Sequence, residues 1–196
     1  MDFVAMAREV HQVAVEHGWW EGERDEAEIY ALIHSEWSEA LEEHRAGRPM
    51  IWRECINTGA PCDKWDCNNW GGDKCLFNDE GKKPEGIAVE LIDGVLRCMD
   101  FLAANGYDQD DEGIYKSLSA ARMDAELNPI GLPELVVNMH AMVSVVVLGY
   151  ASEHALWGCV VGVWAWLEKN GVDPEAVIRA KHEYNKTRPY KHGKRY

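Results

Sequence analysis

The segment HSEWSEALEE, residues 34–43, and the segment VELID, residues 89–93, each carry two acids three residues apart: Glu36 with Glu39, and Glu90 with Asp93. On a helix that spacing sets the two carboxylates one turn apart on neighbouring positions of the same face. Four carboxylates gathered on a helix pair repel one another and stay ionised together only against a compensating cation. With oxygen donors alone, and no histidine or thiolate at helical spacing, the hard ions Mg²⁺ and Mn²⁺ suit such a set better than zinc.

The wheel positions carry this reading. At about 100° per residue, Ile29, Ile33, Glu36 and Ala40 share one face, with Leu32, Glu39 and Glu43 along its edge. Glu36 therefore sits in a stripe that ought to be buried, whereas Glu42 points away and is expected on a solvated face. In GIAVELIDGVLRCMDFL (86–102), Ile87, Leu91, Gly94, Cys98 and Phe101 form an apolar face, and Glu90, Asp93 and Arg97 run as a ridge along its edge. Acids in these places spoil two apolar stripes unless a site requires them.

Helical periodicity dominates the chain and no alternating strand pattern persists, which predicts an all-α bundle of about six or seven helices in a single domain over 1–196. A first helix spans about Asp2 to His17 and stops at Gly18; a second starts near Asp25 and ends before Gly47 and Pro49. A third opens at Pro84 and closes at Asn105-Gly106, and later starts fall at Pro133 and at Asp173-Pro174, with a stop at Gly171. Aligning LAANGYD (102–108) with LEKNGVD (167–173) matches Leu, Asn, Gly and Asp at one offset. Either a helical hairpin is duplicated, with the acids kept in the first copy alone, or two helices that end in a glycine cap look alike.

A net charge of -14 and a pI near 4.9 disfavour nucleic-acid polymers and anionic membranes as partners, because both call for a positive field. The two most apolar stretches, 135–150 and 155–167, are shorter than the roughly 20 residues that span a bilayer and read as buried helices. The start, MDFVAMAREVHQV, lacks the basic and apolar blocks of a secretory signal, so a cytoplasmic location is expected.

Residues 48–84 read as a loop insertion rich in Cys, Trp, Asn and Gly. Within it Cys55, Cys62, Cys67 and Cys75 are separated by six, four and seven residues, which leaves structural zinc, free thiols and disulfides all open. Cys98 and Cys159 fall on apolar helix faces and belong to a core. Trp37, Trp52, Trp65 and Trp70 lie beside the acids or in the loop, as packing residues or as a platform for a base. His34 and His140 read as packing residues.

The acid pairs, together with KKPEGIAVELIDGVLR (82–97) and the ending KHEYNKTRPYKHGKRY (181–196), resemble the MazG-like nucleoside triphosphate pyrophosphohydrolases, relatives of the dimeric dUTPases. The resemblance implies an all-α fold, a homodimer, and Mg²⁺-dependent hydrolysis of a nucleoside triphosphate to the monophosphate and pyrophosphate, with Mn²⁺ as a substitute ion. It implies that Glu36, Glu39, Glu90 and Asp93 hold the metal and that a glutamate, Glu39 ahead of Glu36, handles the attacking water. Lys181, Asn185, Arg188 and Lys191 would reach the phosphates; residues 179–196 contain seven of the twenty Lys and Arg residues, and the first three of the four would share a helical face.

Two departures stand out. Ser35 occupies a position where the family usually has a glutamate, and fifty residues separate Glu39 from Glu90, more than the family spacing. The excess is the cysteine-rich loop, so the family's substrate preferences do not transfer. A di-iron bundle is disfavoured because Glu-x-x-His occurs nowhere in the sequence. A catalytically degenerate nucleotide- or protein-binding module of the same fold is the alternative, and it is weakened by the presence of all four acids.

Overall fold

The computed structural model describes residues 1–22, 24–54, 61–62, 83–108 and 111–193, with backbone alone at 53, 54, 61, 62, 111, 192 and 193. Local chemistry sets the helix ends. In α1 (Phe3–Glu16) the Asp2 side chain accepts the Ala5 N–H at 2.8 Å, and in α2 (Glu26–Arg45) Asp25 accepts from Ala27 at 2.9 Å, so each cap satisfies an otherwise unpaired donor. Glu26 and Glu28 in the first turn of α2 and Arg45 in its last also match the helix dipole.

After α2 the described chain forms an antiparallel ribbon of two-residue strands, β1 (Arg53–Glu54) and β2 (Pro61–Cys62). Trp52 and Glu85 exchange backbone hydrogen bonds at 2.9 and 3.0 Å, which closes the insertion at its base. This bridge holds the chain extended through Pro84, so α3 runs Ile87–Ala104 and opens three residues later than the proline suggested. Gly86 makes the corner: its φ is +114°, and a Cβ there would sit 2.7 Å from the Met50 carbonyl oxygen.

Four further helices follow: α4 (Asp111–Leu127), α5 (Leu132–Val147), α6 (Leu156–Lys169) and α7 (Pro174–Lys186). Pro133 lies in the first turn of α5, and Asp173 caps α7, in agreement with the expected starts. The described residues are thus all-α apart from the short ribbon. None of their helices is long and apolar enough to cross a membrane.

Two central helices organise the packing. α3 contacts α1, α2, α6 and α7, and α6 contacts α3, α4 and α5. Both are buried around most of their circumference, as their near-continuous apolar sequences require. α1 packs on α3 as α4 packs on α6, and α2 on α3 as α5 on α6. The matched endings of α3 and α6 are also alike in detail: Asn105 Nδ2 donates to the Phe101 carbonyl at 2.9 Å and Asn170 Nδ2 to that of Trp166 at 2.8 Å. Cys98 and Cys159 are buried free thiols where these two helices meet.

Candidate functional site

α2 and α3 bring three of the four expected acids together. Glu36, Glu39 and Glu90 each offer a carboxylate oxygen lying within 4.8 Å of the others. Glu36 and Glu90 are buried and Glu39 is exposed, so the cluster opens to solvent from one side. Glu90 is not the edge residue the wheel suggested, because α7 covers the flank of α3 that a two-helix view leaves open. Asp93 lies against the same cluster and faces α7, where its Oδ2 is 2.6 Å from Lys181 Nζ.

Burial governs the electrostatics. It pushes the Glu90 carboxyl up to about 8, with Asp93 adding to the rise and Lys181 and Lys83 opposing it. Burial likewise raises Glu36, opposed by Arg97 and reinforced by Asp93 and Glu39. Among the described residues, three cations partly balance the acids. Arg97 directs Nε and a terminal nitrogen at Glu36 Oε1, both at 2.5 Å; Lys181 pairs with Asp93; and Lys83 Nζ stands 3.9 Å from Glu90. Among the described residues the cluster is thus short of positive charge at Glu90, and it is open at Glu39, as a site for a further cation would be.

The acids line a cleft whose other walls come from α1, α7 and the segments beside them. Val10, Val13, Ala14 and Leu96 form an apolar wall with Trp19, and Arg24, Lys83, Arg97 and Arg188 also line the cleft. Asp100 holds Arg24 at 3.2 Å while accepting from Trp20 Nε1 at 2.8 Å, and the Arg24 guanidinium lies 5.0 Å from the Trp20 ring centroid. Asn185 also lines the cleft, with its Oδ1 buried and unpartnered.

The basic ending divides in three. Asn185 and Arg188 reach the cleft. Lys181 does not present its ammonium to it: the side chain is 1% exposed and is consumed by Asp93, a correction to its expected place among the phosphate ligands. Lys191 lies outside the cleft wall, its ammonium 5.7 Å from the Tyr190 ring and its backbone N–H bonded to the His17 carbonyl. Nor do Lys181, Asn185 and Arg188 share one helical face, because α7 ends at Lys186 and Arg188 follows the turn.

Trp37 is fully buried, its ring edge against Gly94 of α3, so it is a core residue and not a base platform. Trp52 donates Nε1–H to Glu43 at 2.6 Å and lies under Arg48. His34 and His140 stack on each other across α2 and α5, with Nδ1 atoms 2.6 Å apart. Glu42 is exposed and pairs with Arg45, as expected of a solvated face. Cys55, Cys67 and Cys75, with Trp65 and Trp70, lie outside the described residues, as does the side chain of Cys62. Arg24 and Trp19 carry no signal in the sequence because they lie before α2, apart from both acid pairs, and Lys83 carries none because it precedes α3, off the helical face that the acids share. Arg97 had a legible signal: it follows Asp93 by four residues and Glu90 by seven, on the same face.

No protein-family model matches the chain, and neither the curated proteins nor the solved structures contain a match to it.

Proposed function

We propose that the protein is a divalent-metal-dependent nucleoside triphosphate pyrophosphohydrolase of the MazG-like kind, releasing a nucleoside monophosphate and pyrophosphate. The observation that carries this reading is the approach of Glu36, Glu39 and Glu90 to within 4.8 Å on two facing helices, at the acidic end of a cleft edged by arginines. The donor set fits Mg²⁺ or Mn²⁺: carboxylate oxygens only, two of them buried, with Asp93 beside them. When bound, the metal neutralises phosphate charge and lowers the pKa of a coordinated water.

The chain's own residues divide the remaining work. Glu90 and Glu36 form the inner part of the metal cradle, and Asp93, held by Lys181, fixes its flank. Glu39, exposed at the open side, is the carboxylate placed to accept a proton from an attacking water. Arg188 faces a bound triphosphate, where a guanidinium group pairs well with phosphate oxygens, and Arg24, held by Asp100, adds positive charge to the cleft. The apolar wall of α1 with Trp19 offers a surface for the nucleoside.

The test is pyrophosphate release from a panel of normal and modified nucleoside triphosphates, with Mg²⁺ or Mn²⁺ and with chelator. Metal-dependent monophosphate and pyrophosphate from at least one substrate is the expected result. Silence across the panel from folded protein removes the hydrolase reading and leaves the nucleotide- or protein-binding module. The same resemblance proposes a homodimer, and exposed Val137, Leu148 and Tyr150, on and just beyond α5, give such pairing an apolar surface. Light scattering at working concentration decides it.

A further inference from the structure

We infer that Arg97 is a displaceable counter-ion: it occupies Glu36 while the metal is absent, and when a divalent ion binds it turns into the cleft to pair with the substrate's phosphates. This rests on the metal reading above and adds a coupling between metal and polyphosphate that the acid cluster alone does not contain.

Three features of the geometry carry the inference. Both nitrogens that Arg97 directs at Glu36 converge on Oε1, an oxygen of one of the three acids in the cluster, so guanidinium and metal compete for the same carboxylate. Two cations sharing one buried carboxylate repel strongly, because little water screens them. Arg97 is also free to leave. Its side chain is 31% exposed and lines the cleft, whereas Lys181, paired with Asp93, is 1% exposed and held in place by α7. Finally, Arg97 has somewhere to go, since the cleft that it lines also carries Arg188 for an anionic ligand.

Coupling follows from this arrangement. Metal arriving alone must separate Arg97 from Glu36 and leave a guanidinium without a partner. With a polyphosphate present the guanidinium gains a new one, so each ligand favours the other, reciprocally.

The experiment uses the full chain and two probes, Mn²⁺ and inorganic tripolyphosphate, with binding followed by calorimetry and by loss of the free-ion Mn²⁺ resonance. Arg97→Gln is expected to bind Mn²⁺ alone about tenfold more tightly than wild type, while its Mn²⁺-loaded form binds tripolyphosphate about tenfold more weakly. Arg97→Lys, which keeps the charge, should stay near wild type for Mn²⁺. A merely structural role does not move the two affinities in opposite directions. Equal or weaker Mn²⁺ binding in Arg97→Gln overturns the counter-ion role, and unchanged tripolyphosphate binding overturns the phosphate role. If neither wild type nor Arg97→Gln binds Mn²⁺, the metal reading itself falls and this inference with it.

A second measurement leaves Arg97 untouched. In chelator, Glu36→Gln releases Arg97, and Glu39→Gln removes an equal charge without doing so. Glu36→Gln should bind metal-free tripolyphosphate several-fold more tightly than Glu39→Gln; equal affinities overturn the proposal.

Discussion

Glu39 and Glu90 belong to one cluster and stand in opposite surroundings, which separates their roles. Glu39 is exposed at the open side, and Glu90 is buried, with no cation among the described residues closer than 3.9 Å. Glu39→Gln should reduce turnover at least about a hundredfold with helix content unchanged, since it removes a charge with little change in volume. Asp93→Asn should do the same, and it also strands the buried Lys181 ammonium, so thermal unfolding should register a loss that Glu39→Gln does not show. Full activity in both variants, measured as pyrophosphate release, dismisses the assigned site.

Among the elements, α3 does the positioning. It presents Glu90 and Asp93 to the cluster, Arg97 one turn on and Asp100 almost one turn further, while its opposite side packs on α6. The α2–α3 contact is close because Gly94 leaves room for the Trp37 ring; a Cβ there would stand 2.2 Å from Trp37 Nε1. Gly94→Ala should therefore destabilise the fold by about 1–3 kcal/mol in denaturant unfolding and weaken metal binding by shifting Glu36 against Glu90. α7 contributes differently, with Lys181 beneath the acids and Arg188 just beyond its end, over the cleft. Arg188→Gln should raise KM for the metal–nucleotide complex about tenfold with kcat little changed, the signature of a lost binding contact. A fall in kcat with KM constant would instead give Arg188 a role confined to the transition state.

For the whole molecule, burial of Glu90 ties stability to pH. Folded Glu90 keeps its proton up to about pH 8, whereas an unfolded chain releases it near 4.3. Between those values the folded state binds the extra proton, so this group's contribution to stability declines as pH rises and its loss is complete above about 8. Metal-free protein should thus melt at lower temperature at pH 8.5 than at pH 7. Glu90→Gln should flatten the difference, and Mg²⁺ should raise the melting temperature more at pH 8.5 than at pH 7. A melting temperature that rises with pH over this range contradicts the buried-proton account.

Much of the architecture was legible in the residues because its signals are local: Asp2, Asp25 and Asp173 cap helices through their own side chains, and hydrophobic periodicity reports which face is buried. The approach of Glu36 and Glu39 to Glu90 was legible for the same reason, since acids in or along the edge of apolar stripes on two helices point to a shared site. What tertiary structure decided were the relations between distant segments. It buried Lys181 against Asp93, turned Arg97 onto Glu36, brought Arg24 and Trp19 to the cleft, and delayed the start of α3 to Ile87 through the Trp52–Glu85 bridge. A charge pattern states how many cations a segment carries; which of them meets a carboxylate, and which remains for a substrate, depends on the helix that packs over it.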